Sequence, residues 1–275
     1  MPLAEKERRL QAILQDMGGV VIGFSGGVDS SYLYAAAVEV LGERALGVTA
    51  VSDTYPERER REAEALARAL DGRHRLIVSE ELDLPAFTRN PPDRCYHCKR
   101  ELFGKLLEVA REEGLPWVAD GTNADDRSDH RPGRRAAREL GVRSPLEEAG
   151  LTKHDIRELS RRRGLPTWDK PAMACLSSRF PYGTPITRPE VARVGRAEEG
   201  LRALGLRVLR VRHHGDVARI EVGPDEFPRV AGLLRGEVVR IVKDAGYAYV
   251  ALDLQGYRTG AMNEVLSPDE REDSP

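Results

Sequence analysis

The chain has 275 residues, with 43 Lys and Arg against 45 Asp and Glu, a formal net charge of -2. That length suits one large domain or two modest ones, at about 100 to 200 residues each, and the charge balance excludes a whole-chain positive field that would draw it onto nucleic acid or an acidic membrane. Hydrophobic residues make up 40%, yet no apolar run approaches the ~18 residues needed to span a bilayer. The opening MPLAEKERRLQAIL is charged from the start and has no apolar core followed by a cleavage site. These features predict a soluble, cytoplasmic protein with no membrane partner. Three cysteines are an odd number, and two of them sit in Cys95-Tyr96-His97-Cys98; in a reducing compartment that favours metal or redox chemistry over a structural disulfide.

Leu10, Ile13, Leu14 and Met17 follow helical spacing, so residues 4–17 read as an amphipathic helix that stops at Gly18 and Gly19. Val20 to Phe24 is a short apolar run with β-branched residues, the mark of a buried parallel strand. A glycine-rich turn follows, then a helix over Ser30 to Leu41 and a second buried strand over Ala45 to Val51. Ala63, Leu66, Ala67 and Leu70 mark another helix, Arg75 to Val78 a third strand, Leu102 to Ala110 a further helix, and Trp117 to Ala119 a fourth strand. Alternating strands and helices predict an α/β fold, a doubly wound parallel sheet filling residues 1–184. Residues 120–150 turn polar, with Pro132-Gly133, and read as a mobile loop near a site. Thr152-Lys153-His154-Asp155 resembles a capping box that opens the next helix. Proline-punctuated stretches at 165–171 and 183–189 read as linkers, so a smaller α+β domain for substrate binding and oligomerisation is expected over 185–275. It should hold a helix through Val191, Val194, Leu201 and Leu204, and strands at Leu206 to His213, around Ala218 to Val222 and at Tyr247 to Leu254.

Ser25-Gly26-Gly27-Val28-Asp29-Ser30 lies directly after the first strand and opens the first crossover helix. Glycines there let backbone N–H groups approach an oxyanion, and the helix N-terminus adds partial positive charge. No lysine follows as in a Walker loop, and the dinucleotide glycine spacing is absent. The segment resembles the SGGxDS signature of the PP-loop ATP pyrophosphatases, which cleave ATP between the α and β phosphates. That resemblance implies ATP at Ser25, Gly26, Gly27, Asp29 and Ser30, with Asp29 as a magnesium partner, since a hard cation takes carboxylate oxygen. Nucleotides in such sheets lie over the strand carboxyl ends, so Ser52-Asp53-Thr54-Tyr55 and Gly121, Thr122 and Asn123 are expected to contribute. An ordinary turn is the competing reading for Gly121-Thr122-Asn123.

The PP-loop enzymes divide by nucleophile, and a sulfur donor needs a thiol. Asn90-Pro91-Pro92-Asp93-Arg94-Cys95, Asp169-Lys170-Pro171-Ala172 through Cys175-Leu176, and Gly256-Tyr257-Arg258-Thr259-Gly260-Ala261-Met262-Asn263 resemble the LarE family over nearly the whole chain. Members are ATP-dependent sulfur transferases that adenylate a carboxylate of pyridinium-3,5-biscarboxylic acid mononucleotide and convert it to a thiocarboxylate for a nickel-pincer cofactor. The resemblance implies Cys175 as the catalytic cysteine, left as dehydroalanine in the single-cysteine form, and a homohexamer. Cys95 and Cys98 depart from that form. With Cys175 they make a set of three thiolates that suits a [4Fe-4S] cluster with one open iron; a zinc site including His97, or two ordinary thiols, are the alternatives. Arg210 and Arg212 share one face of a strand, Leu209 and Val211 the other. On pattern alone that is a solvated face, whereas the resemblance implies that the two arginines bind the substrate phosphate.

Two other functions fit parts of this pattern. A PP-loop tRNA thiolase also pairs C-x-x-C with a third cysteine but needs a basic RNA surface, which a net charge of -2 does not supply. A non-catalytic nucleotide sensor would use the cradle for binding alone.

Overall fold

The structure is a computed structural model that describes residues 1–128, 132–171 and 174–267. In chain order the elements are α1 (Leu3–Met17), β1 (Val20–Gly23), α2 (Val28–Leu41), β2 (Ala45–Val51), α3 (Glu57–Ala69), β3 (Arg73–Val78), α4 (Pro85–Thr88), α5 (Arg94–Glu112) and β4 (Trp117–Ala119). They continue with α6 (Gly133–Glu139), α7 (Pro145–Glu148), α8 (Lys153–Arg162), α9 (Arg188–Ala203), β5 (Leu209–His214), β6 (Val217–Val222), α10 (Phe227–Ala231), α11 (Arg235–Asp244) and β7 (Tyr249–Leu252). The described residues divide by contact into two compact units, 1–81 with 95–171, and 82–94 with 174–267.

The first unit is a four-stranded, all-parallel sheet in the order β3-β2-β1-β4. Both faces are covered, as a parallel sheet requires. Val20, Ile22 and Phe24 pack with Leu10, Leu14, Leu33, Ile156 and Leu159 on one side, while Val21, Leu46 and Val48 pack with Phe103, Leu106 and Val109 on the other. The one-residue alternation along β1 is the strand period that separates the two cores. Helix α2 buries nearly its whole circumference, from Tyr32 through Ala37, which anchors its N-terminus against the sheet. The chain leaves β1 toward β2 on one side and leaves β4 toward a parallel bridge between Ala119 and Arg143 on the other, so the carboxyl ends of β1 and β4 form the switch point of the sheet.

The parallel sheet and the early elements match the sequence expectation. The stretch 120–150 does not read as one mobile loop: a 3-10 turn over Ala124–Ser128 and helices α6 and α7 fill most of it. Its Arg-rich text conceals short helices whose apolar positions, Ala136, Ala137 and Leu146, are buried. Residues 129–131, and Ala172 and Met173 of the quoted motif, lie outside the described residues.

The second unit carries a three-stranded sheet in the order β5-β6-β7. The β5-β6 hairpin is antiparallel around Gly215, whose φ of +63° suits a tight turn, and β7 runs parallel to β6 after the α10–α11 crossover. Helix α9 packs Val191, Val194 and Leu201 as its buried face. Segment 82–94 joins this unit through Asn90, which is fully buried at φ +56°. Its amide donates to the carbonyls of Pro181 (2.7 Å) and Thr184 (3.0 Å), and its side-chain oxygen accepts from Arg94 at 2.6 Å. Asparagine tolerates that left-handed backbone better than most residues.

Candidate active site

Strand β1 ends at the switch point and hands the chain to the cradle. Gly26 takes φ +65°, and a Cβ on it would lie 3.2 Å from the Cβ of Ala63, so both backbone hand and space ask for glycine there. Gly27 caps α2 with extended backbone, and Val28 begins fourteen helical residues whose N-terminal N–H groups carry the positive end of the dipole. The hydroxyls of Ser25 and Ser30 lie 3.0 Å apart, the Ser25 N–H points to Ser30 Oγ at 3.3 Å, and Ser30 Oγ donates to the Gly27 carbonyl at 3.3 Å. The loop closes on itself into a tight, hydrogen-bonded turn.

Loops from the neighbouring strands meet this turn. Tyr55, after β2, donates its hydroxyl to the Ser25 carbonyl at 2.8 Å. A Cβ on Gly121, after β4, would stand 3.0 Å from the backbone nitrogen of Ser30; the second loop thus abuts the start of α2, and a larger residue would crowd it. Thr122 donates its hydroxyl to Asp120 (2.8 Å), and Asn123 accepts from the Asp125 N–H (2.9 Å). Those bonds hold the loop in a turn whose Gly121 lies against the start of α2. The hydroxyl of Ser52 donates to the buried carboxylate of Glu81 at 2.6 Å, which also takes the hydroxyls of Thr54 and Ser79, so Ser52 braces the loop after β2.

Sequence reasoning missed two cations. Lys153, the first residue of α8, pairs with Asp29, so the carboxylate expected to face magnesium is met by an ammonium group. Lys170 is 13% exposed and donates to the Gly26 carbonyl at 3.1 Å and to Glu59 at 2.6 Å. With only six lysines in the chain, a search for lysines near the motifs would have singled out Lys170, which stands in the quoted Asp169-Lys170-Pro171 segment. Lys153 was visible only as part of the capping box. That box is present: Thr152 Oγ1 accepts from the Asp155 N–H and Asp155 accepts from the Thr152 N–H.

In the second unit Cys175 is exposed and precedes a 3-10 turn over Leu176–Arg179. Arg210 and Arg212 are 5% and 6% exposed, so the solvated-face alternative is wrong. Arg212 makes a bidentate pair with Glu221 (2.9 and 2.7 Å) and donates to the Ser178 carbonyl at 2.7 Å. Arg210 lies over the Tyr257 ring at 4.8 Å and donates to the Leu209 carbonyl. Burial, reinforced by the guanidinium of Arg179, pushes the Arg210 pKa down to about 10; it stays cationic at neutral pH. Cys95 and Cys98 share one face of the first turn of α5, the former exposed and the latter half-buried. Among the described residues no group of three or more His, Cys, Asp or Glu side chains is gathered to hold a metal ion.

A glycine cradle at the switch point of a parallel sheet, opening a buried helix, is the architecture of a nucleotide-using PP-loop enzyme. The profile of the NAD synthase family matches residues 5–85, the stretch that holds the cradle. An uncharacterised protein of Synechocystis is 43% identical over 266 residues, 96% of this chain and 99% of its own. The pyridinium-3,5-bisthiocarboxylic acid mononucleotide synthase of Lactiplantibacillus plantarum is 38% identical over 268 residues, 96% of each chain. An argininosuccinate synthase of Natronomonas pharaonis is 32% identical over 56% of this chain and 41% of its own. The chain therefore belongs to the family of the pyridinium-3,5-bisthiocarboxylic acid mononucleotide synthase, the LarE family. No helix among the described residues is long and apolar enough to cross a membrane.

Proposed function

We propose that this protein is an ATP-dependent sulfurtransferase that converts a carboxylate of pyridinium-3,5-biscarboxylic acid mononucleotide to a thiocarboxylate. The single observation that carries the reading is the 38% identity to the mononucleotide synthase across 96% of both chains, and the switch-point cradle supports its ATP half. ATP arrives with magnesium as substrate. Ser25, Gly26, Gly27, Asp29 and Ser30 hold its phosphates with help from Gly121, Thr122 and Asn123, and Asp29 exchanges Lys153 for the metal. The substrate carboxylate oxygen attacks the α-phosphorus, the α–β bond breaks, and pyrophosphate leaves. The Cys175 thiolate then attacks the acyl carbon and expels AMP, forming a thioester. Loss of the Cys175 α-proton with cleavage of its Cβ–Sγ bond leaves the thiocarboxylate on the substrate and dehydroalanine in the chain. Arg210 and Arg212 take the substrate phosphate, the former with its cationic charge already buried. A homohexamer is the assembly proposed for the working enzyme.

A second reading, favoured by Cys95 and Cys98 on one helical face, is that these thiols and Cys175 hold a [4Fe-4S] cluster and sulfur comes from added sulfide. Anaerobic turnover with ATP-Mg and the mononucleotide, followed by intact-protein mass spectrometry, tests both. AMP and pyrophosphate with a mass loss of about 34 Da, the mass of hydrogen sulfide leaving a thiol side chain, is the expected result. Repeated turnover at unchanged mass, with iron and sulfide in the protein, replaces it with the cluster reading. ADP and phosphate as products overturn the proposal.

A further inference from the structure

The exposed thiol of Cys175 stands on a backbone that is gripped from below. Arg179, four residues on, is 0% exposed. One guanidinium nitrogen donates to the carbonyls of Ala174 (2.9 Å) and Cys175 (3.1 Å) and to Ser178 Oγ (2.7 Å). Its other two nitrogens form a bidentate pair with Glu198 of α9, at 2.7 and 2.9 Å. Glu198 also accepts from the Val211 N–H of β5 at 3.0 Å, which ties the clamp to helix and sheet at once. Ser178 Oγ donates to the Cys175 carbonyl at 2.8 Å and so closes a ring of bonds around the residue that bears the thiol.

Taking a guanidinium and a carboxylate wholly out of water is costly, and such a pair persists when geometry is good and its remaining donors are satisfied. Here the remaining donors are spent on two successive carbonyls of the cysteine turn. An apolar pair of the same volume would fill the space without fixing those carbonyls. We infer that Arg179, clamped by Glu198, is the positioning residue of the sulfur-transfer step: it fixes the backbone at Ala174 and Cys175 so that the thiol meets the activated acyl carbon in one orientation. This rests on Cys175 being the sulfur donor.

Arg179→Lys keeps a positive charge beside Glu198 but lacks the fork that reaches Glu198 and both carbonyls at once. Ser178→Ala removes only the hydroxyl link and leaves the buried pair in place, so it reports even if the lysine variant fails to fold. Both are compared with wild type for sulfur transferred per chain, for pyrophosphate released, and for the iodoacetamide alkylation rate of each cysteine by peptide mass spectrometry. A displaced nucleophile costs about a hundredfold per ångström. Transfer is therefore expected to fall roughly ten- to a hundredfold in Arg179→Lys and a few-fold in Ser178→Ala, with pyrophosphate release within about twofold of wild type. Alkylation of Cys175 should change several-fold while Cys95 keeps its rate. Unchanged transfer and unchanged Cys175 alkylation in both variants would overturn the inference, as would an equal change at Cys95 and Cys175, which marks general loosening. If wild type transfers no sulfur from Cys175, the proposed function fails, while the alkylation comparison still reads the clamp.

Discussion

The cradle and the cysteine turn solve the same problem, holding reactive groups still, by opposite means. Around Ser25 to Ser30 the backbone itself is the proposed binding surface, and its shape follows from glycines at Gly26, where the backbone hand is left-handed, and Gly121, where a Cβ would crowd Ser30. Around Cys175 the backbone is an ordinary short turn, and two buried arginines, Arg179 and Arg212, grip its carbonyls while Glu198 and Glu221 neutralise them. The first device is a matter of backbone shape. The second is long-range and electrostatic, so each should fail in its own way.

The sharpest break is Cys175→Ala. It should abolish thiocarboxylate formation, read by mass spectrometry of the mononucleotide, while pyrophosphate is still released and AMP stays on the substrate carboxylate; transfer that persists would detach sulfur chemistry from the turn. Next is Gly121→Val, which drives side-chain carbon toward the Ser30 nitrogen already 3.0 Å from the Cβ position. Overpacking a tight contact costs about 1 to 3 kcal/mol, so pyrophosphate release should fall roughly ten- to a hundredfold, with alkylation of Cys175 unmoved.

Glu198→Gln tests the electrostatic device. It leaves Arg179 buried with no counter-charge, a loss of about 3 to 5 kcal/mol in denaturant unfolding. The pH dependence has a definite sign. Burial opposes the charged Glu198 carboxylate, but the charge of Arg179 and its hydrogen bonds outweigh that and hold the group below its ordinary value. A carboxyl depressed in the folded state contributes stability that is complete above its unfolded pKa of about 4.3 and is lost as pH falls through the folded value. The gap between wild type and Glu198→Gln should therefore be flat above about pH 5 and narrow below it. A gap that holds constant down to pH 3 would show that Glu198 stabilises by packing alone.

The two devices also differ in how far the sequence announces them. The cradle was legible because strand, glycine turn and helix are consecutive, and β2 and β4 agree with the apolar runs at Ala45 to Val51 and Trp117 to Ala119. The clamp was not. Arg179 meets Glu198 nineteen residues away, Lys170 reaches Gly26 from 144 residues away, and Lys153 reaches Asp29 from 124; no periodicity joins such partners, and in a chain that is 32% charged any arginine has many possible mates. The alternation Leu209-Arg210-Val211-Arg212 also misled, because a half-solvated strand and one whose polar face is buried against carboxylates have the same pattern. Helices α6 and α7 were hidden for a related reason: at seven and four residues they are too short to show a period.

The mildest prediction concerns Thr152, where local and long-range devices meet. Its capping box starts α8 and thereby places Lys153 beside Asp29 of the cradle. Thr152→Ala removes one side-chain acceptor for the Asp155 N–H, a loss typically of about 1 kcal/mol, and Asp155 keeps its pair with Lys6. The unfolding midpoint should therefore shift by only a few degrees. If the cap matters chiefly for stability, ATP consumption stays at the wild-type rate. If it also sets Lys153 against Asp29, the apparent affinity for ATP-Mg should move a few-fold while the maximal rate does not, because the lysine then competes less well with the metal for the same carboxylate. A change in maximal rate with unaltered ATP affinity would place Lys153 in the chemical step, and the cradle would then depend on a side chain from a distant helix as much as the cysteine turn does.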